Sequence, residues 1–173
     1  MIAGANWGTR AEECALPMSC DSLRTDASVR VHRAVSISAS PSMVFRWLCQ
    51  LKLAPYSYDL LDNLGRRSPR ELVSGTERLE VGQRFMTIFS LADFRQDEHL
   101  TLRSRRVAVT YMTLSDVEQT RLVARVLFDP PGGRIGTALM GSTLALGDLA
   151  MMRKQLLTLK ALAERDTARA RSH

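Results

Sequence analysis

Apolar and polar residues alternate along several short stretches of the chain, which is the pattern of half-buried strands. Val29, Val31, Val35 and Ile37 alternate with polar or small residues and predict the first strand. The same pattern predicts further strands over residues 84–93, 98–105, 107–113 and 122–128. Turn-forming residues separate these stretches, so the sequence predicts five clear antiparallel strands.

A longer stretch near the C-terminus has helical periodicity instead. Its apolar residues recur at steps of three and four and therefore share one helix face: Leu149, Met152, Leu156, Leu159 and Ala163. The predicted helix spans residue 138 to about residue 168 and is long enough to close over a sheet. Its first part is rich in small residues. There Gly141 permits a close approach, either of the sheet in tight packing or of a ligand in a cavity.

Two short helices are predicted after the first strand. Ser40 followed by Pro41 indicates a helix start, because the hydroxyl caps the first turn and proline suits the first helical position. The apolar face of this helix consists of Val44, Trp47, Leu48 and Leu51. It is expected to end before Pro55, and a second helix is predicted over residues 59–64, where Gly65 ends it.

The composition is typical of one globular domain, with 45% hydrophobic and 24% charged residues in a chain of 173. Residues 1–28 are expected to form an irregular arm that lies on this domain, with Trp7, Leu16 and Met18 as anchors. The domain itself is expected over residues 29–168, and residues 169–173 are expected to be a flexible tail.

The net charge of +6 comes almost wholly from scattered arginines. A nucleic-acid groove requires joined basic charges with exposed aromatic residues, so solvated surface charge is the favoured interpretation and no nucleic-acid partner is predicted. Residues 135–152 are apolar, but they contain Asp148 and several small polar residues, so no membrane span is predicted. The N-terminal residues lack the regions of a secretion signal, and the three cysteines form no C-x-x-C pair. A reducing cytoplasm is therefore the predicted location.

Motifs spread over nearly the whole chain resemble those of a known protein family. They are residues 44–51, Ala54-Pro55-Tyr56-Ser57-Tyr58-Asp59, Asp62-Asn63-Leu64-Gly65-Arg66, Val81-Gly82-Gln83-Arg84, Thr120-Arg121-Leu122, and Asp148 with residues 151–156. Together they resemble actinobacterial members of the SRPBCC superfamily, which includes START, polyketide cyclase and Bet v 1-like proteins. The arm from Trp7 to Asp26 resembles the same proteins.

The resemblance implies an α+β fold of the helix-grip type. In this fold a curved antiparallel sheet, seven-stranded in the family, wraps around the C-terminal helix and encloses a deep apolar cavity. The two strands beyond the five clear ones are then expected as short pieces near residues 77–79, or from a bend within residues 84–93. The resemblance does not imply one chemistry, because the superfamily includes carriers, receptors, cyclases and chaperone activators, and fold does not determine function.

The stretch from Tyr56 to Arg66 contains several side chains that can donate hydrogen bonds or transfer protons. Tyr58, Asp59 and Asp62 are the candidate catalytic residues, because a tyrosine can donate to a ligand carbonyl while a carboxylate takes up a proton. Asp59 and Asp62 lie three residues apart, so their mutual repulsion would raise the pKa of one of them if both were desolvated. The alternative is structural: Asp59 caps the short helix and Arg66 pairs with Asp62.

A ligand in the cavity is predicted to contact polar, aromatic and flexible apolar side chains: Tyr56, Tyr58, Asn63, Met86, His99, Tyr111, Gly141 and Met152. The alternation within the strands does not determine which of these faces the cavity. His32 lies opposite the valines of the first strand and is interpreted as a structural histidine. The histidines have no metal-binding spacing, and no glycine-rich phosphate loop or nucleophile elbow is present, so no metal and no cofactor are predicted.

Three functions fit these observations. The first is a soluble cytoplasmic protein that binds a small hydrophobic or aromatic molecule between the sheet and the C-terminal helix. The second is a cofactor-independent enzyme similar to polyketide cyclases and dehydratases. The third is a protein-interaction module in which the cavity is collapsed.

Overall fold

The structure is a computed structural model that describes residues 6–57, 67–86, 88–116, 119–129 and 133–172, with only the backbone for residues 133–149. In it, a mostly antiparallel sheet packs against a few short helices and a long C-terminal helix. The predicted α+β fold class is therefore confirmed.

The described residues form a sheet of seven strands in the order β1-β2-β7-β6-β5-β4-β3. The strands are β1 (Asn6–Trp7), β2 (Val29–Ile37), β3 (Arg84–Phe85), β4 (Phe89–Arg95), β5 (His99–Arg103), β6 (Val107–Asp116) and β7 (Gln119–Phe128). Every neighbouring pair is antiparallel except β1 and β2, which are parallel. The five predicted strands are confirmed, and residues 84–93 bend into β3 and β4. The remaining strand comes from the arm and not from residues 77–79.

The helices are α1 (Ala11–Ala15), α2 (Ser19–Leu23), α3 (Pro41–Cys49) and α4 (Gly133–Arg171), and a 3-10 turn (Gln50–Lys52) follows α3. As predicted, the Ser40 hydroxyl caps α3, since it accepts a hydrogen bond from the Met43 N–H at 3.2 Å. The α-helix ends at Cys49, earlier than expected, because the chain tightens into the 3-10 turn. The helix predicted over residues 59–64 lies outside the described residues. The C-terminal helix continues to Arg171 and so includes part of the predicted tail.

We call the sheet face covered by α3 and α4 the inner face. Its core combines strand residues such as Val31, Leu100 and Leu122 with the apolar sides of the two helices. The predicted apolar face of α3 is confirmed, because all its residues are buried: Val44, Trp47, Leu48 and Leu51. The same holds in α4 for the members of its predicted face from Met152 onward. Each large aliphatic side chain buried in this way contributes roughly 1.5–3 kcal/mol, which fixes α4 on the sheet.

We call the opposite side of the sheet the outer face, and α1 and α2 of the arm lie over it. Met18 and Cys20 pack with Ala34, Val123 and Leu127 in a second apolar cluster. The arm was expected to be irregular, but it forms β1 and two short helices. Of its predicted anchors, Leu16 and Met18 pack on the outer face, whereas Trp7 packs against the inner core.

Two arginines of β7 bind the arm through buried ion pairs. Arg121 donates to both carboxylate oxygens of Glu13, at 2.7 and 2.8 Å, and Arg125 donates to Asp21 at 2.5 Å. Burial alone would raise the pKa of Glu13, but the hydrogen bonds from Arg121 and from the Arg10 N–H, with the nearby positive charges, lower it overall. The carboxylate is therefore charged when the arm is in place.

His32 completes this network. Its Nε2 accepts a hydrogen bond from Arg125 Nε at 3.0 Å, and its Nδ1 lies 3.1 Å from Asn6 Oδ1. Because a guanidinium only donates, the ring proton must reside on Nδ1. Burial, followed by the charge of Arg125, lowers the pKa of His32 to about 4. The histidine is thus a neutral structural group, as the sequence analysis proposed.

Replacement of Glu13 by Gln tests whether the ion pair with Arg121 fixes the arm. Removing one charge leaves the largely buried guanidinium without its counter-ion, so the free energy of unfolding should fall by about 3 kcal/mol. Denaturant unfolding measures this change. The matched control is Glu12→Gln, which removes the neighbouring but exposed carboxylate and should change stability by less than about 0.5 kcal/mol. Equal effects of the two variants would show that the pair does not hold the arm.

Candidate ligand site on the inner face

Gln155 of α4 is a buried polar residue at the centre of an otherwise apolar surface. Its Oε1 accepts a hydrogen bond from the Tyr111 hydroxyl of β6 at 2.7 Å, and its Nε2 donates to the Pro55 carbonyl at 2.6 Å. Two methionine sulfurs lie around the same group. Met86 Sδ is 3.9 Å from Gln155 Nε2, and Met152 Sδ is 3.8 Å from the Tyr111 hydroxyl. One carboxamide therefore joins α4, the sheet and the loop after α3.

Two of the segments that reach Gln155 contain non-glycine residues in the left-handed backbone region. Tyr56 has φ 56° and Met86 has φ 45°. An L-residue in this region costs roughly 1–2 kcal/mol, which persists only where the surrounding structure holds it. Tyr56 directly follows Pro55, and Met86 directly follows β3. Because such strain concentrates at ligand sites, these two positions indicate a ligand site in the region between them.

Trp47 of α3 supports the loop that carries Tyr56. The two rings meet edge to face, with centroids 5.9 Å apart and planes at 83°. The Trp47 indole N–H also donates to Asp166 Oδ2 of α4 at 3.2 Å. Since Trp47 and Tyr56 are both fully buried, α3, the loop and α4 form one packed wall beside Gln155.

Arg33 brings a charged group to the inner face, which the sequence analysis did not recognise. It occupies the same face of β2 as Val31 and Val35 and is completely buried. Its Nη1 donates to the His32 carbonyl at 2.8 Å. In the register of the sheet, Arg33 lies opposite Ala124, and Ala124 lies opposite Tyr111. The guanidinium and the Tyr111 phenol therefore belong to one row across three strands.

Three of the predicted ligand-binding residues meet around Gln155, namely Met86, Tyr111 and Met152. A fourth, Tyr56, follows Pro55, whose carbonyl bonds to Gln155. Tyr58 and Asn63, with the catalytic candidates Asp59 and Asp62, lie outside the described residues. Gly141 belongs to α4, in the stretch for which only the backbone is described. Gln155 and Arg33 were not predicted. The signals that could have identified them are a polar residue beside an apolar helix stripe and a charge within an alternating strand.

His99, another of the predicted ligand contacts, lies away from the inner face. Leu100 and Leu102 of β5 occupy the inner face, so the alternation places His99 on the outer face, under α2. There His99 Nε2 lies 2.9 Å from Asp93 Oδ2, and the Ser19 hydroxyl donates to the same oxygen at 2.5 Å. This group is not a catalytic triad, because the imidazole does not lie between the hydroxyl and the carboxylate. It is one more attachment of the arm.

Metal and membrane sites were also considered. Among the described residues, no group of three or more His, Cys, Asp or Glu side chains is arranged to hold a metal ion. Within the same part of the chain, no helix has the length and apolar character needed to cross a bilayer.

The comparisons with known proteins concern the fold. No protein-family model matches the sequence, and no curated protein matches it either. The structure is similar to protein NE0264 from Nitrosomonas europaea, with a TM-score of 0.52 and 11% identity over 83% of this chain and 99% of that one. It is also similar to the KanY protein, with a TM-score of 0.51 and 13% identity over 79% of this chain and 97% of that one.

A third solved structure is a Polyketide_cyc-like protein, Cgl2372 from Corynebacterium glutamicum, with a TM-score of 0.48 and 16% identity over 83% of this chain and 96% of that one. Similarity at such identities concerns the fold alone. The feature shared with the first two structures is the fold, in which a long C-terminal helix packs on a seven-stranded sheet.

A double-mutant cycle tests the central hydrogen bond of the site. Tyr111→Phe and Gln155→Leu each remove one partner and leave the other buried without this bond, whereas the double variant removes both. The double variant should therefore be more stable than the sum of the single changes predicts, by about 1 kcal/mol. Urea unfolding of the four proteins gives this coupling energy.

The matched control for this cycle combines Tyr111→Phe with Leu157→Ala. Leu157 lies on the same helix but is partly exposed, so these two changes should add to within about 0.5 kcal/mol. Additive effects in both cycles would mean that the Tyr111 and Gln155 side chains are not coupled.

Proposed function

We propose that the protein binds a small hydrophobic or aromatic molecule between the inner face and α4, next to Gln155. The observation that carries this proposal is the meeting of the Pro55 carbonyl, the Met86 sulfur and the Tyr111 hydroxyl at one buried carboxamide, with Met152 against the same hydroxyl. These groups come from four separate segments of the chain, and two of the segments have strained backbones at this point. Packing alone does not require a polar centre there, since an apolar residue would fill the same volume.

The chemistry of the surroundings supports an apolar ligand with few polar groups. Ligand pockets are lined mainly by apolar and aromatic side chains, with a small number of polar groups that orient the ligand. The inner face has this composition, with Tyr111, Gln155 and Arg33 as polar groups within its apolar core. Burial of a ligand's apolar surface would contribute roughly 25 cal/mol per Å², which is the main source of affinity in this proposal.

The polar groups would orient the ligand by exchanging hydrogen bonds. The Gln155 amide now bonds to the Pro55 carbonyl and the Tyr111 hydroxyl. A ligand hydroxyl can donate to Gln155 Oε1 in place of Tyr111, and a ligand carbonyl can accept from Gln155 Nε2 in place of Pro55. The displaced group then needs a new partner on the ligand, which favours a ligand with a few polar groups. Met86 and Met152 suit such an exchange, because their unbranched side chains adapt to different shapes at low cost.

The entrance is proposed to lie at the segment that follows Tyr56. Tyr58 and Asn63 belong to this segment, and Tyr56 connects it directly to the wall beside Gln155. Gly141 is proposed to allow a close approach of the ligand to α4. The enzymatic alternative depends on Tyr58, Asp59 and Asp62, and none of the described contacts involves these residues, so it remains a prediction from the sequence.

Two adjacent methionines of α4 provide a sharp test. Met152 is 9% exposed and faces Tyr111, whereas Met151 is 43% exposed. Met152→Trp adds an indole to the proposed site, and the resulting overpacking should weaken binding of the neutral dye Nile red by about tenfold or more. Met151→Trp adds the same group at the surface and should leave the affinity within about twofold of the original value.

Dye fluorescence titration measures both affinities, and thermal unfolding of each variant shows whether it folds. If Met152→Trp fails to fold, Met152→Phe takes its place with the same expectation. Unchanged binding in a folded Met152 variant, or equal losses in the two variants, would contradict a site between the inner face and α4.

A further inference from the structure

A concave site lies at the edge of the sheet, on the side of Arg84, Ser90 and Arg103. It is a solvent-open cavity of about 510 Å³ between the β3–β4 hairpin and the turn that joins β5 to β6. Three arginines line it, Arg84, Arg103 and Arg105, together with the hydroxyl residues Ser90 and Ser104. Its volume lies in the range of small-molecule sites, and no carboxylate is among the lining residues.

The sheet register brings these charges together. Arg84 lies opposite Ser90 across the β3–β4 pair, and Ser90 lies opposite Arg103 across the β4–β5 pair. Side chains directly opposite each other on neighbouring strands share a face, with Cβ atoms about 5 Å apart. A small serine therefore separates two arginines in one row. The two guanidiniums thus lie about two strand spacings, roughly 10 Å, apart on the same side of the sheet.

Arg105 is added to this row by the turn between β5 and β6. The Ser104 N–H donates to the Val107 carbonyl at 2.7 Å, which closes the turn. The Arg105 carbonyl accepts a hydrogen bond from the Arg24 guanidinium of the arm. The backbone of Arg105 is thus held on both sides, and its side chain lines the same cavity as Arg84 and Arg103.

Several other arginines of this protein have a carboxylate partner. Arg46, Arg121, Arg125 and Arg165, for example, each pair with a carboxylate. In the described part of the chain, the side chains of Arg84, Arg103 and Arg105 form no ion pair and no hydrogen bond. All three side chains are exposed, so their donors are available to a ligand.

We propose that this cavity binds a phosphate-bearing ligand through Arg84, Arg103 and Arg105. The planar guanidinium matches the oxygens of a phosphate group and donates to them in pairs, and the two serine hydroxyls add neutral donors. Three positive charges without a carboxylate suit an anion of more than one charge. Ile88, which is 70% exposed, lines the same cavity and supplies apolar contact for the organic part of the ligand.

Two sources of this chemistry are possible, a soluble organic phosphate and the headgroup of an anionic phospholipid. Both present phosphate oxygens to the arginines, and both have an organic part that can contact Ile88. The proposal does not depend on the function proposed for the inner face, because none of the arginines that carry it contacts Gln155 or its partners.

The test compares two double variants with the same net charge. Arg103→Gln with Arg105→Gln removes two charges from the cavity. Arg106→Gln with Arg171→Gln removes one charge from the same turn and one from the end of α4, and neither residue lines the cavity. All four side chains are exposed, so both variants are expected to fold, and thermal unfolding checks this.

Calorimetric titration with inorganic pyrophosphate and co-sedimentation with vesicles of phosphatidylglycerol and phosphatidylcholine are the two binding arms. The cavity variant should bind at least one of these probes about tenfold more weakly than the original protein, because charge-assisted hydrogen bonds are lost. The control variant should change by no more than about twofold. A loss with pyrophosphate assigns a soluble phosphate, and a loss with vesicles alone assigns the lipid headgroup. Absence of binding to both probes, or equal losses in the two variants, would overturn the proposal.

Discussion

The hydrogen bonds of the Gln155 carboxamide connect the three parts of the chain that enclose the inner face. Through Tyr111 the amide is joined to the middle of the sheet, and through Pro55 it is joined to the loop after α3. A buried amide without partners would cost on the order of 1–3 kcal/mol, so the position of α4 along the sheet depends on both bonds. The strained backbones of Tyr56 and Met86 lie beside this group, and the same contacts that place α4 also hold the strain.

The two faces of the sheet bury different kinds of side chain. The inner face is apolar with a few enclosed polar groups, which suits a ligand that is driven into it by burial of apolar surface. The outer face instead carries Arg121 and Arg125, whose charges are buried by the arm and neutralised by Glu13 and Asp21. The arm thus supplies both the cover that buries these charges and the carboxylates that neutralise them, so the buried arginines and the arm are ordered together. At the sheet edge, the arginines around Ser90 have no such cover.

Most of the fold was predictable because its signals are local. Strict alternation identified the long strands, and the spacing from Met152 to Ala163 identified the buried face of α4. The arm was harder, since β1 has two residues and each helix of the arm has five, which is too short for periodicity to be read. Its order comes from distant partners, such as Arg121, that the sequence does not place beside it. The bend that separates β3 from β4 was anticipated only through the resemblance to a seven-stranded fold.

Only part of the candidate site was predictable, because its local signals are residue type and strand alternation. Residue type suggested Tyr56, Met86, Tyr111, Met152 and His99. Alternation shows which residues of a strand share a face but not which face is the inner one, so the sequence could not separate His99 from the others. Gln155 was overlooked beside an apolar stripe. Arg33 was overlooked because a charge in a valine-rich strand is normally taken as solvent-facing.

The central claim is that the inner face holds a small apolar molecule, and native mass spectrometry of the freshly purified protein tests it most directly. The account predicts a reproducible additional mass of a few hundred daltons, on the order of what such a site encloses, which disappears when the chain is denatured. A spectrum that shows only the bare chain, repeated after incubation with lipids and aromatic compounds, would contradict the claim.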